Sequence, residues 1–143
     1  MVDLQGVEGT MKIAVIDGQG GGMGRAIVES LRERYGKTVV ITALGTNTLA
    51  TAAMLKAGAD EGATGENAIV YNSSKADIIM GAIGIVAANS MLGELTPAMA
   101  AAVAESPAKK VLIPVNKCNI QIAGVPQLTL QQYIDEAVGM IGK

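Results

Sequence analysis

Two patterns of apolar residues follow each other along the chain: short continuous runs, and recurrence about every four residues. Their order predicts the order of the secondary-structure elements. Four consecutive apolar residues, Ile13 to Ile16, are typical of a strand that helices cover on both faces. Ile27, Leu31 and Tyr35 then recur every four residues and predict a helix with one apolar face. Because strand and helix patterns keep alternating to the end of the chain, we expect an α/β fold, a three-layer Rossmann-like sandwich with a mostly parallel sheet of five or six strands.

The other predicted strands are short apolar or β-branched runs bounded by glycine, proline or polar residues. Pro114 inside one of these runs indicates a strand at the sheet edge or a bulge, because proline cannot donate to a sheet ladder. The runs lie at 38–44, 76–81 and 111–115, with at most a short third strand in the glycine-rich loop 58–67 and a short sixth strand at 120–123.

The other predicted helices are identified by residues that start helices. Two stretches are less regular: 65–74, which Thr64 can cap, is a brief helix or contains a strand at 69–71, and 85–92 is apolar enough for a buried helical segment. The start signals are Thr46 or Asn47 before a helix at 48–57, Thr96 with Pro97 before a helix that ends ahead of Pro107, and Thr129 with Gln132 in capping-box spacing before the last helix.

Five glycines lie between positions 18 and 24, directly between the first strand and the first helix. Glycine costs more backbone entropy on folding than any other residue, so these glycines supply conformations and close approaches that side chains would prevent. The loop leads into a helix N-terminus, where unpaired amides and the helix dipole favour an anion, most often a phosphate. The alternative interpretation is a tight strand-to-helix turn that binds nothing.

The spacing of the glycines decides which phosphate loop this is. Gly18, Gly22 and Gly24 fit the form G-x-x-x-G-x-G, whereas G-x-G-x-x-G fails because position 23 is Met, and no Gly-Lys-Ser/Thr follows as a P-loop would need. Over this loop and its flanking strand and helix, the chain resembles the short-chain dehydrogenase/reductase family. That resemblance implies NAD(P) or another nucleotide as the cofactor.

Two further observations weigh against an ordinary NAD(P) enzyme. Tyr71 and Lys75 match the Y-x-x-x-K pair of that family, but they come much earlier in the chain and have no upstream partner serine, so we interpret them as a half-buried Tyr and a surface Lys. The acidic residue that normally follows the second strand and binds a ribose is replaced by Gly45, Thr46 and Asn47. These residues either contact a ribose or only cap the next helix.

Composition excludes several classes of function. The chain has no histidine, which rules out histidine bases, Ser-His-Asp triads and histidine-ligated metals, and its net charge of −2 argues against a nucleic-acid surface. The single Cys118 forms no intrachain disulfide, in keeping with a cytoplasmic location, and is interpreted as a small buried apolar residue with a reactive thiol as the alternative. Half of the residues are hydrophobic and only 2% are aromatic, so the core must be aliphatic.

The 143 residues suit one domain. We place it at 11–143, with 1–10 as a polar tail or leader that lacks the features of a signal peptide. No apolar run is long enough to span a membrane. The many Gly, Ala and Met residues and the few charges predict a homo-oligomer, most simply a dimer.

Ligands of such folds bind beyond the carboxyl ends of the strands, where the strand order reverses. We expect the glycine loop, 45–47 and 81–84 to meet there, with Asn116 and Cys118 at the far side and Asp17, Glu66 and Asp77 as the nearby carboxylates. No metal site and no catalytic residue is predicted. The predicted ligand contacts are Gly18, Gln19, Gly20, Gly21, Gly22, Met23, Gly24, Gly45, Thr46, Asn47, Gly81, Ile83, Gly84 and Asn116.

The first functional hypothesis is a nucleotide-binding or dinucleotide-binding module, a sensor or regulator that holds a phosphate on the amides of 20–24. Under it, Gly22→Val or Gly24→Val should abolish ligand binding and leave the fold intact. The alternatives are a small NAD(P)-dependent oxidoreductase and a structural or partner-binding subunit without a ligand.

From Met11 onward the chain resembles a small bacterial family of Rossmann-like proteins catalogued as a domain of unknown function. That resemblance implies the fold and brings no activity with it. The stretches that carry it are 17–24, 43–47, 62–67, 89–97 and 114–119.

Overall fold

Parallel strands form a single sheet in the order β3-β2-β1-β4-β5. The computed structural model describes residues 10–115 and 119–142. Within them the strands are β1 (Lys12–Asp17), β2 (Val40–Gly45), β3 (Glu61–Thr64), β4 (Ile78–Ala82) and β5 (Lys109–Ile113). The helices are α1 (Gly22–Tyr35), α2 (Thr48–Lys56), α3 (Glu66–Ser73), α4 (Pro97–Glu105) and α5 (Leu130–Gly139), with a short 3-10 helix at Ile83–Val86.

Helices cover both faces of the sheet, which makes three layers. On one face, Ile13 and Val15 of β1 pack into a cluster with residues of α1, α2 and α5. On the other face, the alternate residues Ala14 and Ile16 pack with residues of α3 and α4. This explains the continuous apolar run of β1, since a central parallel strand is buried on both sides. The predicted α/β sandwich is therefore confirmed.

The strand order reverses beside β1. Lys12 to Asp17 pair with β2 on one side, and Ile13 to Val15 pair with β4 on the other, so the chain has crossed from one edge of the sheet to the middle. The connections that follow β1 and β4 leave from the same end of the sheet and must diverge there. This divergence opens a cleft just beyond Asp17 and Ala82.

Most local signals in the sequence are confirmed. Asn47, Thr96 and Thr129 each cap the helix that follows by accepting a backbone N–H with the side chain. The stretch 65–74 is a helix and not a strand, but its N-cap is Gly65 and not Thr64. Thr64 cannot serve because it belongs to β3, where it pairs with Gly45.

Three predictions about the second half of the chain are wrong. The helical segment expected at 85–92 gives way after Val86 to turns in which Asn89, Met91 and Leu92 have positive φ, a conformation that a helix cannot contain. Residues 120–123 form no strand in the described part of the chain, since 121–123 are exposed and have no core to face. Pro114 follows β5 instead of interrupting it, although β5 does lie at the sheet edge, as expected.

No helix within residues 10–115 and 119–142 has the length and apolar character needed to cross a membrane.

Candidate functional site

A cavity of about 690 Å³ opens at the point where the strand order reverses. Four parts of the chain line it: 17–23, Ala82 with Gly84, 90–92, and Val115 with Leu130. The glycine loop thus forms one wall and the end of β4 the opposite one, because β1 and β4 are neighbours in the sheet. This is where ligands of open parallel sheets bind.

Asp17 ends β1 and holds the glycine loop on its carboxylate. The side chain is buried, with 8% of its surface exposed. One oxygen accepts the amide of Gly18 at 2.8 Å and the other accepts the amide of Gly24 at 2.6 Å. Since Gly24 lies in the first turn of α1, the negative charge lies against the positive end of the helix dipole. The carboxylate therefore takes two of the amide donors of the loop, one of them in the first turn of α1.

The other amides of the loop divide into two groups. The amide of Gly21 donates to the carbonyl of Gly18 at 3.0 Å, and that of Gln19 donates to Glu94 at 2.8 Å. The amides of Gly20, Gly22 and Met23 have no acceptor among residues 10–115 and 119–142. All three residues line the cavity, so their amides are available to donate to a bound ligand or to water.

Glu94 joins the glycine loop to the end of β2. A single carboxylate oxygen accepts the Gln19 amide at 2.8 Å, the Thr46 hydroxyl at 2.7 Å and the Asn47 side-chain amide at 2.9 Å. The hydrogen bond from the Gln19 amide, followed by that from Thr46, holds the pKa of Glu94 below its ordinary value, while partial burial acts in the opposite direction. Glu94 is therefore a stable anion at neutral pH.

The glycines of the loop serve different purposes. A Cβ at Gly24 would lie 2.5 Å from the sulfur of Met54 and 2.9 Å from the Cβ of Asp17, so this glycine is required for close packing of α1. Gly21 has a φ of 76° and lies against α2, and Gly18 is similarly crowded. A Cβ at Gly20 or Gly22 would meet no described atom within 4 Å. The expectation that Gly24→Val leaves the fold intact is therefore wrong, whereas Gly22 tolerates a side chain.

Six of the predicted ligand contacts are described residues that do not line the cavity. They are Gly24, Gly45, Thr46, Asn47, Gly81 and Ile83. Thr46 and Asn47 are bonded to Glu94, and a Cβ at Gly81 would press against the backbone oxygen of Ile16. Contact of these residues with a ligand stays a prediction. Asn116 and Cys118 lie outside the described residues.

The remaining candidate groups lie elsewhere. Tyr71 on α3 is 61% exposed, not half-buried, and the Lys75 ammonium lies 4.4 Å from its ring centroid on the surface. Asp77 accepts the backbone amide of Lys12, which places it at the amino end of the sheet and not at the rim as predicted. Glu66 accepts the hydroxyl of Thr96 at 2.5 Å. In the described part of the chain, no three His, Cys, Asp or Glu residues are grouped as a metal site would require.

Comparison with known proteins gives the family and no activity. The family model described as "Domain of unknown function (DUF3842)" matches residues 12–143. No curated protein and no solved structure has significant similarity to the chain. Because the match spans nearly the whole chain, the protein belongs to this family, as the resemblance in the sequence predicts.

Proposed function

We propose that this member of the family binds a small phosphate-bearing molecule, with nucleotides as the first class to test, in the cavity between the glycine loop and the end of β4. The proposal rests on one observation: Gly20, Gly22 and Met23 line the cavity, and their amides have no acceptor in the part of the chain that the structure describes. Gly22 and Met23 are the first residues of α1. Their amides therefore add their partial charges to those of the helix dipole.

The size and walls of the cavity support the same class of ligand. About 690 Å³ falls within the range of roughly 300–1,000 Å³ that small-molecule sites occupy. Its lining includes the apolar residues Met91, Leu92, Val115 and Leu130. An anionic group on the amides would thus leave the organic part of the ligand against apolar side chains.

Binding without chemistry is the simplest role for this site. Asp17, the buried carboxylate beside the cavity, already accepts two amides of the loop, which makes it a structural group and not a free base. The NAD(P)-dependent oxidoreductase is not favoured, because Tyr71 lies on the exposed surface of α3 and not among the described residues that line the cavity. A sensor or regulator that responds to its ligand fits these features.

The test is thermal unfolding in the presence of AMP, ADP and inorganic pyrophosphate. Gly22→Val is the informative variant, because Gly22 lines the cavity and its new side chain enters space that no described atom occupies. Gly142→Val is the matched control, since its Cβ would meet only the Tyr35 hydroxyl at an ordinary 3.8 Å. A ligand at 100 times its Kd stabilises a protein by about 2.7 kcal/mol, which corresponds to several degrees in Tm.

We expect this shift in the wild type and in Gly142→Val, and none in Gly22→Val, with all three proteins unfolding at similar temperatures without ligand. Two results would contradict the proposal. One is the absence of a shift in the wild type with all three compounds. The other is an equal shift in Gly22→Val, which would place the ligand away from the loop.

A further inference from the structure

Residues 87–95, the crossing segment, lie between the 3-10 helix and α4, and Glu94 in this segment contacts both the glycine loop and the residues after β2. Glu94 makes the connection with the three hydrogen bonds of one carboxylate oxygen, to Gln19 in the loop and to Thr46 and Asn47 after β2. The side-chain amide of Asn47 also donates to the carbonyl of Gln19 at 3.0 Å. Glu94 and Asn47 thus hold the glycine loop close to the residues that follow β2.

The crossing segment is also held in place by contacts that do not involve Glu94. The amide of Asn89 donates to the carbonyl of Leu95 at 2.7 Å, and the hydroxyl of Ser90 donates to the carbonyl of Gly84 at 2.6 Å. Leu95 is fully buried in the core. Positive φ angles at non-glycine residues such as Met91 and Leu92 are unfavourable, so they persist only where such anchors determine the backbone.

This arrangement fills the cleft on the side of β2. A Cβ at Gly18 would lie 2.5 Å from the Thr46 hydroxyl, 2.8 Å from the Met91 sulfur and 3.0 Å from the Glu94 carboxylate. In contrast, a Cβ at Gly20 or Gly22 would meet no described atom within 4 Å. The open part of the cleft is therefore the half between β1 and β4, where the cavity lies.

We infer that Glu94 determines ligand size by closing the β2 half of the cleft, so that the site accepts a compact ligand with one anionic end and excludes an extended dinucleotide. This inference rests on the proposed function. A dinucleotide straddles the reversal of strand order and places one ribose beside the end of β2. Here the Glu94 carboxylate takes that place. Its negative charge also opposes a second phosphate on the loop, because like charges at close range repel.

The experiment compares AMP and NAD⁺ by isothermal titration calorimetry on the wild type, Glu94→Ala, Glu94→Gln and Thr46→Val. We expect the wild type to bind AMP at least about tenfold more tightly than NAD⁺. Glu94→Ala should narrow this ratio by about tenfold through tighter NAD⁺ binding, with AMP affinity nearly unchanged. Glu94→Gln keeps an acceptor oxygen and should retain most of the discrimination.

Thr46→Val removes one donor to Glu94 and preserves the side-chain shape, so it tests the inference even if Glu94→Ala fails to fold. This variant should narrow the ratio of AMP affinity to NAD⁺ affinity by less than Glu94→Ala does. Glu105→Gln, on the exposed end of α4, is the control that should leave the ratio unchanged. Equal affinity of the wild type for AMP and NAD⁺ would overturn this inference alone, as would a ratio that neither Glu94→Ala nor Thr46→Val changes. Failure of the wild type and of every variant to bind either compound would overturn this inference, and the proposed function falls with it if ADP and pyrophosphate also give no shift in Tm.

Discussion

Replacing Gly24 by alanine should destabilise the protein, although alanine favours a helix more than glycine does. The helix propensity alone would stabilise α1 by about 1 kcal/mol. Against this, the new Cβ would lie 2.5 Å from the sulfur of Met54, which is fully buried and cannot turn toward solvent. Overpacking of this kind costs about 1–3 kcal/mol.

The same Cβ would also disturb Asp17, whose own Cβ would be only 2.9 Å away. Asp17 accepts the Gly24 amide at 2.6 Å, and a hydrogen bond to a charged group contributes about 1.5–3 kcal/mol. If part of that bond is lost, the unfavourable effects outweigh the gain in helix propensity. We expect a net loss of about 2 kcal/mol in the free energy of unfolding, or a fall of roughly 7 °C in Tm.

Urea denaturation followed by far-UV circular dichroism measures this loss, with Gly22→Ala as the matched control. Position 22 has no described atom within 4 Å of the added Cβ, so its alanine variant should be as stable as the wild type or more stable by up to about 1 kcal/mol. In Gly24→Ala/Met54→Ala, the contact between the two side chains is relieved, and the double variant should lose less stability than the single variants together. Equal responses at positions 22 and 24 would refute the argument that packing requires only one of them.

Three further predictions concern polar contacts, and urea denaturation tests each. Asp17→Asn turns an acceptor into a donor toward a backbone amide and should cost about 2–3 kcal/mol; an unchanged midpoint would contradict the anchoring role. The lowered pKa of Glu94 stabilises the fold at pH values above its ordinary value of 4.5, and this contribution is lost as pH falls through the folded-state pKa. The stability advantage of wild type over Glu94→Gln should therefore shrink as the pH falls below 4.5; an advantage that stays constant with pH would refute this prediction. Arg32 bonds three backbone carbonyls and Asp60, so Arg32→Lys should cost about 1–2 kcal/mol; near-neutral stability would show that the forked geometry is dispensable.

The fold was predictable because its signals are local. The apolar run of β1 marks a central strand, and the glycines after it mark the turn into α1. Thr129 with Gln132 started α5 where the capping-box spacing placed it. Each of these features involves residues a few positions apart, so periodicity and capping rules contain the necessary information.

The site was only partly predictable because its central contacts are distant in sequence. Glu94 lies 75 residues from Gln19 and 48 from Thr46, and no spacing rule connects them. The apolar stretch before it imitates a helix, although Asn89 and Gly93 are residue types that adopt positive φ readily and were a usable sign of turns. The predicted dimer, the cytoplasmic location, the NAD(P) cofactor and the ligand contact of Asn116 stay predictions.

Two carboxylates of the chain itself, Asp17 and Glu94, accept hydrogen bonds from amides of the glycine loop. They therefore limit which amides remain for a bound anion. Displacing Asp17 would take a buried charge away from the amides of Gly18 and Gly24, so that side chain is a permanent part of the loop. Glu94 is partly exposed and can be released into water at a lower cost, because solvent would replace its three donors. A ligand that takes an amide donor away from a carboxylate must therefore take it from Glu94. A ligand that binds only the amides of Gly22 and Met23 displaces neither carboxylate. The second route needs no rearrangement, and this is why we expect a compact anion on the first turn of α1.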